Sequence, residues 1–154
     1  MKSMTAVAVI LACLFVSSVP LFAHHSFSAE FDVNKPTHMN GKVTRVEWGK
    51  PHVVVHMEVT NKSKLESWAV ELNPPELLVR NGWKLDTLKP GAEICVEGFL
   101  GKNGIHKIGS NAITLRSTGK VLQTPAGAWM EAKSLVGGPD ISYTGTLCSK
   151  DSSR

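Results

Sequence analysis

Between Met39 and Leu122 short apolar segments alternate with turn residues, and this pattern constrains the fold more than any other feature of the chain. In the segment HVVVHMEVT, residues 52–60, every odd position is apolar and the even positions are mixed. Such alternation predicts a strand with one buried face. Glycine, proline and asparagine bound the segment on both sides, as they do between the strands of small β proteins. The region is therefore predicted to be mainly β.

One short helix is predicted among these strands. Asn73 is the expected N-cap, Pro74 the first helical residue, Glu76 the capping partner and Gly82 the stop. Five strands with a helix between the third and fourth give the order of an OB-type Greek-key barrel. The alternative is an open antiparallel sandwich with one covering helix. The strands are predicted at Lys42–Trp48, His52–Thr60, Trp68–Leu72, Ala92–Leu100 and Ile105–Leu115, with a strand-like piece at Val121–Leu122.

The first 23 residues are typical of a secretory signal peptide. Lys2 supplies a positive charge, an apolar run extends from Ala6 to Val16, and Ala23 is a small residue at the expected cleavage position. The run is shorter than the about 20 apolar residues of a transmembrane helix. A lipoprotein signal ending at Cys13 is the weaker alternative. The sequence thus predicts a periplasmic or secreted protein with no membrane span after cleavage.

The mature chain would then consist of three parts. An N-terminal extended segment covers residues 24–38, the OB-like β-barrel domain residues 39–122, and a flexible C-terminal tail residues 123–154, which are rich in Gly, Ser, Thr and Pro. The formal charge of the whole chain is +4, and it falls by one when Lys2 leaves with the signal peptide. A charge this small and unclustered argues against a nucleic-acid partner.

Cysteine usage allows one disulfide. Cys13 would be removed with the signal peptide, which leaves Cys95 and Cys148 as an even pair. Exported proteins fold in an oxidising compartment, where such a pair can form a bond. The alternative is two unpaired thiols.

Three segments of the chain resemble a known family. AHHSFSAEFDVNKP, GKVTRVEWGKPHV and LVRNGWKLDTLKPGAEICVEGF are similar to a group of small exported bacterial proteins, catalogued as domain of unknown function six-one-five-two. The resemblance runs from about Ala23 to Leu122. It implies a signal peptide and a small β-rich domain, and it brings no established activity.

His24 and His25 are the candidate metal ligands. If cleavage leaves His24 first, its α-amine and Nδ1 can chelate one ion, and a further imidazole from His25 or from the folded domain would complete a three-nitrogen site. If cleavage leaves Ala23 first, the Ala-His-His start can form a square-planar site. Both arrangements favour Cu(II). The alternative is an ordinary polar start of the mature chain.

A second candidate site lies on the predicted barrel. His52 and His56 are four residues apart on a strand, about 13 Å at about 3.3 Å per residue, which is too far for one shared metal ion. They are expected on the less buried face, where with Trp48 and Val54 they would line a ligand-binding surface.

No motif in the sequence supports an enzyme. There is no nucleophile elbow, phosphate-binding glycine loop, HExxH or CxxC. The predicted function is a non-catalytic binding module for a peptide, sugar, small ligand or protein partner, with no required cofactor. A copper-handling protein built on His24 and His25 is the alternative. Five glutamates are expected to point outward and serve solubility, namely Glu47, Glu58, Glu71, Glu93 and Glu97.

Overall fold

The computed structural model of the protein describes residues 27–124 and Cys148. Six strands and few helices make up this part of the chain, so the prediction of a mainly β protein is confirmed. The short helix between the third and fourth strands is also present. In chain order the elements are α1 (Phe27–Glu30), β1 (Phe31–Glu47), β2 (Val54–Asn61), β3 (Lys64–Glu71), α2 (Pro75–Arg80), β4 (Glu93–Gly101), a 3-10 turn (Lys102–Gly104), β5 (Lys107–Leu115) and β6 (Val121–Gln123).

The strands form one sheet in the order β3-β2-β1-β4-β5-β6, with antiparallel neighbours throughout. A further, parallel pairing joins β3 to β5, from Ala69 opposite Lys107 to Glu71 opposite Gly109. Five strands are therefore paired in a closed circuit, in the order β1, β2, β3, β5, β4 and back to β1. Strand β6 pairs with β5 outside this circuit.

Alternation along the strands places the core where the sequence predicts it. Val53, Val55 and Met57 are at most 1% exposed, and the residues between them are half-buried. Leu78 of α2 is also fully buried and joins the same cluster. The inward side chains of β2 thus hold the sheet together, and α2 packs against the core through one residue.

The helix α2 begins one residue later than predicted. Pro74 is the N-cap, without a side-chain capping bond, and its carbonyl accepts the N–H groups of Leu77 and Leu78. Asn73 is not the cap because its carbonyl still accepts the N–H of Val53, 3.3 Å away, and so continues the β2–β3 pairing. Gly82 ends the helix as predicted, with a φ of 83° that suits glycine.

The sheet extends beyond residues 39 and 122, between which the sequence predicts the barrel domain. β1 begins at Phe31 because its first half pairs with β4, from Phe31 opposite Gly101 to Lys42 opposite Glu93. Polar residues in that half hide the strand in the sequence, since it lacks an alternating apolar row. At the other end β6 reaches residue 123, and the buried Thr124 donates its hydroxyl to the Ser110 carbonyl.

Helix α1 attaches the start of the described chain to the sheet. Phe27 stacks on Phe31 with ring centroids 4.4 Å apart and meets Phe99 edge-on at 6.4 Å. Gly109 makes room for this contact, because a Cβ there would lie 2.5 Å from the Phe27 ring. Among residues 27–124, none of the helices is long and apolar enough to cross a membrane.

Candidate functional site

The outward side chains of β1, β2 and β3 form one continuous surface, here named the open face. The pairings put Glu47, Val54 and Glu71 in one row across the strands and Arg45, His56 and Ala69 in the next. Their neighbours Val46, Val55 and Val70 point the other way, toward the core. The half-buried Val54 and Ala69 make an apolar floor between the ionisable side chains. The open face consists of Arg45, Glu47, Val54, His56, Ala69 and Glu71.

At one side of this floor Arg45, Glu47 and His56 form a triad. The Arg45 guanidinium forms an ion pair with the Glu47 carboxylate. The Nε2 of His56 lies 3.2 Å from Arg45 Nη2 and 3.4 Å from Glu47 Oε1. A neutral His56 can accept a hydrogen bond from Arg45 at this nitrogen, whereas a protonated one can only donate, toward Glu47. In both states Nδ1 carries a proton, so the imidazole offers a hydrogen-bond donor to a ligand.

At the other side of the floor a network links α1, β3, β5 and the segment before β2. His52 Nδ1 lies 3.1 Å from the Leu72 carbonyl, which can only accept, so Nδ1 carries the proton. Its Nε2 lies 3.7 Å from Glu71 Oε1, and the other oxygen of Glu71 lies 2.7 Å from Lys107 Nζ. Lys107 also binds the Glu30 carboxylate of α1.

The electrostatics of Lys107 follow from this position. Burial lowers the pKa of its ammonium group, but hydrogen bonds to Glu30 and Glu71 outweigh that effect and hold the pKa above its ordinary value. The ammonium also lies 5.6 Å from the centre of the Phe31 ring. Lys107 is therefore a fixed cation that joins α1 to the seam between β3 and β5.

Three of the four predicted ligand-face residues share one surface. Val54 and His56 belong to the open face, and His52 adjoins it through Glu71. Trp48 does not, because it follows the outward Glu47 in the strand and packs partly buried against the core.

Two further aromatic groups stack at the seam between β3 and β5. The rings of Trp68 and His106 lie 4.5 Å apart and nearly parallel, at 5°. The backbone sets this contact, since the Ala69 N–H donates to the His106 carbonyl at 3.0 Å. The stack could not be predicted from the sequence, because it depends on a pairing between strands that are distant in sequence.

The outward side chains of β4 and β5 form a second surface, here named the covered face: Cys95, Glu97, Ala112 and Thr114. Cys95 lies opposite Thr114 and Glu97 opposite Ala112, and all four are at most 6% exposed. Cys95 forms a disulfide with Cys148, with 5.7 Å between the Cα atoms. The bond fixes one point of the C-terminal region on this face.

The prediction that Glu97 is a solubilising surface charge is wrong. Its side chain is 1% exposed, and Oε1 accepts the backbone N–H of Cys148 at 2.9 Å. Arg116 approaches the carbonyl of the same cysteine at 3.4 Å. The sequence did contain one signal: Glu97 lies two residues from Cys95 on the same face of the strand, so whatever covers one must come close to the other.

The predicted metal ligands His24 and His25 lie outside the described residues. Within residues 27–124 and Cys148, no three histidine, cysteine or acidic side chains are grouped so that they could hold a metal ion. The described part nevertheless begins close to the two histidines, at the anchored Phe27.

Comparison with known proteins places the chain in a family. No curated protein matches it. A family model described as a family of unknown function, DUF6152, matches residues 10–111, roughly two thirds of the chain. The match takes in all of the open face and the first half of β5, which confirms the resemblance seen in the sequence. The chain belongs to DUF6152, a family of unknown function.

Proposed function

We propose that the protein is an exported, non-catalytic binding module, an OB-like barrel whose ligand lies across the open face. One observation carries the proposal: ionisable side chains from three strands flank an apolar floor in register. Glu47 and Glu71 lie on the two sides of Val54, and in the next row Arg45 and His56 lie beside Ala69. Such a floor accepts a flat or extended ligand, and its polar rim can orient it.

The circuit of strand pairings supports the barrel. β3 meets β5 in parallel, and α2 lies between β3 and β4 in the chain. OB-type barrels have this order, and they bind ligands on the face that contains their second and third strands. The open face includes the corresponding strands β2 and β3, so the fold and the site support the same proposal, by analogy of architecture.

The charge of the open face favours a polar ligand without a large net charge. Arg45 and Lys107 are balanced by Glu47 and Glu71, with which they form ion pairs. A phosphate backbone would gain little from such a balanced surface, because nucleic-acid binding depends on uncompensated cations. A short peptide or an oligosaccharide fits better, since either offers donors and acceptors beside apolar surface.

A ligand panel tests the proposal. The ¹⁵N-labelled protein is titrated with trialanine, with the chitin disaccharide and with maltose, and amide shifts are recorded. Binding at the open face moves the amides of residues 45–47, 54–58 and 67–71, and His56→Ala abolishes the shift. Glu93→Ala, an exposed glutamate on β4, is the matched control. Shifts confined to other surfaces would disprove the proposed site.

Export is part of the proposal and is tested separately. The charged start, the apolar run from Ala6 to Val16 and the small Ala23 support it. Cell fractionation followed by N-terminal sequencing gives both the compartment and the first residue of the mature protein. Recovery of the intact chain from the cytoplasm would contradict export.

We propose copper binding by His24 and His25 as a second candidate function. Its support is the anchored Phe27, whose stacking on Phe31 would keep a terminus three residues away close to the fold. The α-amine must lose its proton to bind, so affinity should fall as the pH drops toward 6. An EPR spectrum of the exported protein with one equivalent of Cu(II) tests this, beside a variant with an extra N-terminal methionine. Identical, heterogeneous spectra would rule it out.

A further inference from the structure

The last turn of α2 and its connection to β4 carry a concentration of exposed apolar and basic side chains. Large apolar residues are exposed at four positions of the described chain, and two of them, Val79 at 59% and Leu85 at 74%, lie within seven residues of each other. Arg80, Lys84 and Lys89 accompany them, against one acidic residue, Asp86. We name residues 79–89 the basic turn.

The basic turn holds Leu85 outward in a fixed position. Trp83 and Leu88, on either side of it, are each 4% exposed and anchor the chain to the core. Between them Lys84 and Thr87 close a tight turn: the Lys84 N–H donates to Thr87 Oγ1 at 2.7 Å, and the Thr87 N–H donates to the Lys84 carbonyl at 3.0 Å. Leu85 therefore loses little conformational freedom when a partner covers it.

Within the described part of the molecule the cations of the basic turn are not held in ion pairs, although the charge of Arg80 does act on the Glu76 carboxylate. Arg80, Lys84 and Lys89 form no ion pair there, whereas the nearest acidic residue of α2, Glu76, is bound by Lys50 at 2.5 Å. Elsewhere in the described residues Arg45 is paired with Glu47 and Lys107 with Glu71. The basic turn is thus a positively charged surface that no ion pair within the described residues neutralises.

We propose that the basic turn docks on an anionic lipid surface. Apolar side chains at the tip of a loop can enter the headgroup region of a bilayer, while neighbouring cations remain at the level of the lipid phosphates. The fixed, outward Leu85 beside Lys84 has this arrangement. A uniformly acidic protein surface would use the cations but would leave two large apolar side chains without a complementary environment. This proposal is independent of the ligand on the open face.

Co-sedimentation with lipid vesicles tests the proposal on the full chain. The vesicles contain equal amounts of phosphatidylglycerol and phosphatidylcholine, and vesicles of phosphatidylcholine alone are the reference, each at low and at high salt. The variants are Leu85→Ser, Lys84→Gln and the matched control Leu65→Ser, which changes a leucine 60% exposed on β3. The apolar N-terminal run is identical in all of them, so its contribution cancels in the ratio of bound fractions.

The expected result is salt-sensitive binding to the anionic vesicles. Leu85→Ser lowers the partition coefficient about tenfold and Lys84→Gln about fivefold, while Leu65→Ser leaves it unchanged. Circular dichroism verifies that each variant is folded. Equal binding of Leu85→Ser and the control, or equal binding to both kinds of vesicle, would overturn the proposal. So would a vesicle-independent change of sedimentation coefficient in Leu85→Ser, which would assign the basic turn to contacts between copies of the chain.

Discussion

The open face and the covered face are parts of one sheet and have the same alternation, yet their outward residues lie in opposite environments. On the open face the side chains of Arg45 and Glu47 are 62% and 46% exposed. On the covered face Cys95 and Glu97 are at most 1% exposed. Alternation determines which way a side chain points, but not whether solvent or another part of the chain lies there.

The two faces also use their charges differently. Ion pairs on the open face are exposed to solvent, where each contributes little to stability and can be exchanged for contacts with a ligand. On the covered face a buried carboxylate fixes the backbone of Cys148, and such a group is costly to leave without its partner. The open face is thus suited to binding and the covered face to holding the fold together.

The largest expected effect in this comparison is the loss of stability on removal of the disulfide. A bond between residues separated by 53 positions stabilises a protein by roughly 4 kcal/mol in the chain-entropy description. We expect Cys148→Ser to lower the free energy of unfolding by about that amount, measured by urea titration with tryptophan fluorescence. The parent treated with a reductant is the comparison and should lose a similar amount, because the same bond is broken. An unchanged urea midpoint in Cys148→Ser would show that the covered face is stable without its link.

The second test compares two glutamates of β4. Glu97→Ala leaves the Cys148 N–H buried without its acceptor and should cost about 2 kcal/mol. Glu93→Ala removes an exposed carboxylate from the same strand and should change stability by less than about 0.5 kcal/mol. Chemical denaturation measures both. Equal effects of the two substitutions would mean that Glu97 has no special role on the covered face.

The contrast also shows what the sequence could predict. Local patterns gave the strands, the inward row of β2 and the short helix, because these depend on neighbouring residues. Burial of Glu97 could not be read in the same way, since it depends on Cys148, more than fifty positions away. The start of β1 was missed for a related reason, as its first half is a strand only by virtue of its pairing with β4.

The candidate site was likewise predictable only where it depends on residues of one strand. Alternation placed His52, Val54 and His56 on one side of β2, but not the partners of the two histidines, which come from β1 and β3. The partly buried position of Trp48 against the core could not be read from alternation, because β1 ends at Glu47. Lys107 and Glu30 were not considered, since their meeting depends on the parallel pairing of β3 with β5 and on α1.

The third test asks whether the packing of α1 against β4 and β5 stabilises the protein. Phe27 is half-buried against Phe31 and Phe99, so Phe27→Ala should cost about 1–2 kcal/mol, below the about 3–5 kcal/mol of a fully buried phenylalanine. Leu65→Ala, at an exposed position of β3, is the control. Urea titration measures both free energies of unfolding. A loss no greater than that of the control would mean that α1 does not stabilise the protein.

The smallest effect concerns Lys107, at the seam between the β3 edge of the open face and β5. The pKa of its ammonium group is raised in the folded protein, so the stability it contributes is fully present below the ordinary value of 10.5 and is lost as the pH rises through the higher folded pKa. Lys107→Met should therefore cost about 0.5–1 kcal/mol at pH 8 and progressively less above pH 10.5.

Paired urea titrations of the parent and of Lys107→Met across this pH range measure the effect. Lys64→Met, an exposed lysine on β3, is the control and should differ from the parent by a constant amount. A pH-independent cost in Lys107→Met would assign its effect to lost packing against the Phe31 ring and not to its charge. A cost that falls with pH would show that paired charges close this seam, whereas the covered face depends on a disulfide and a buried carboxylate.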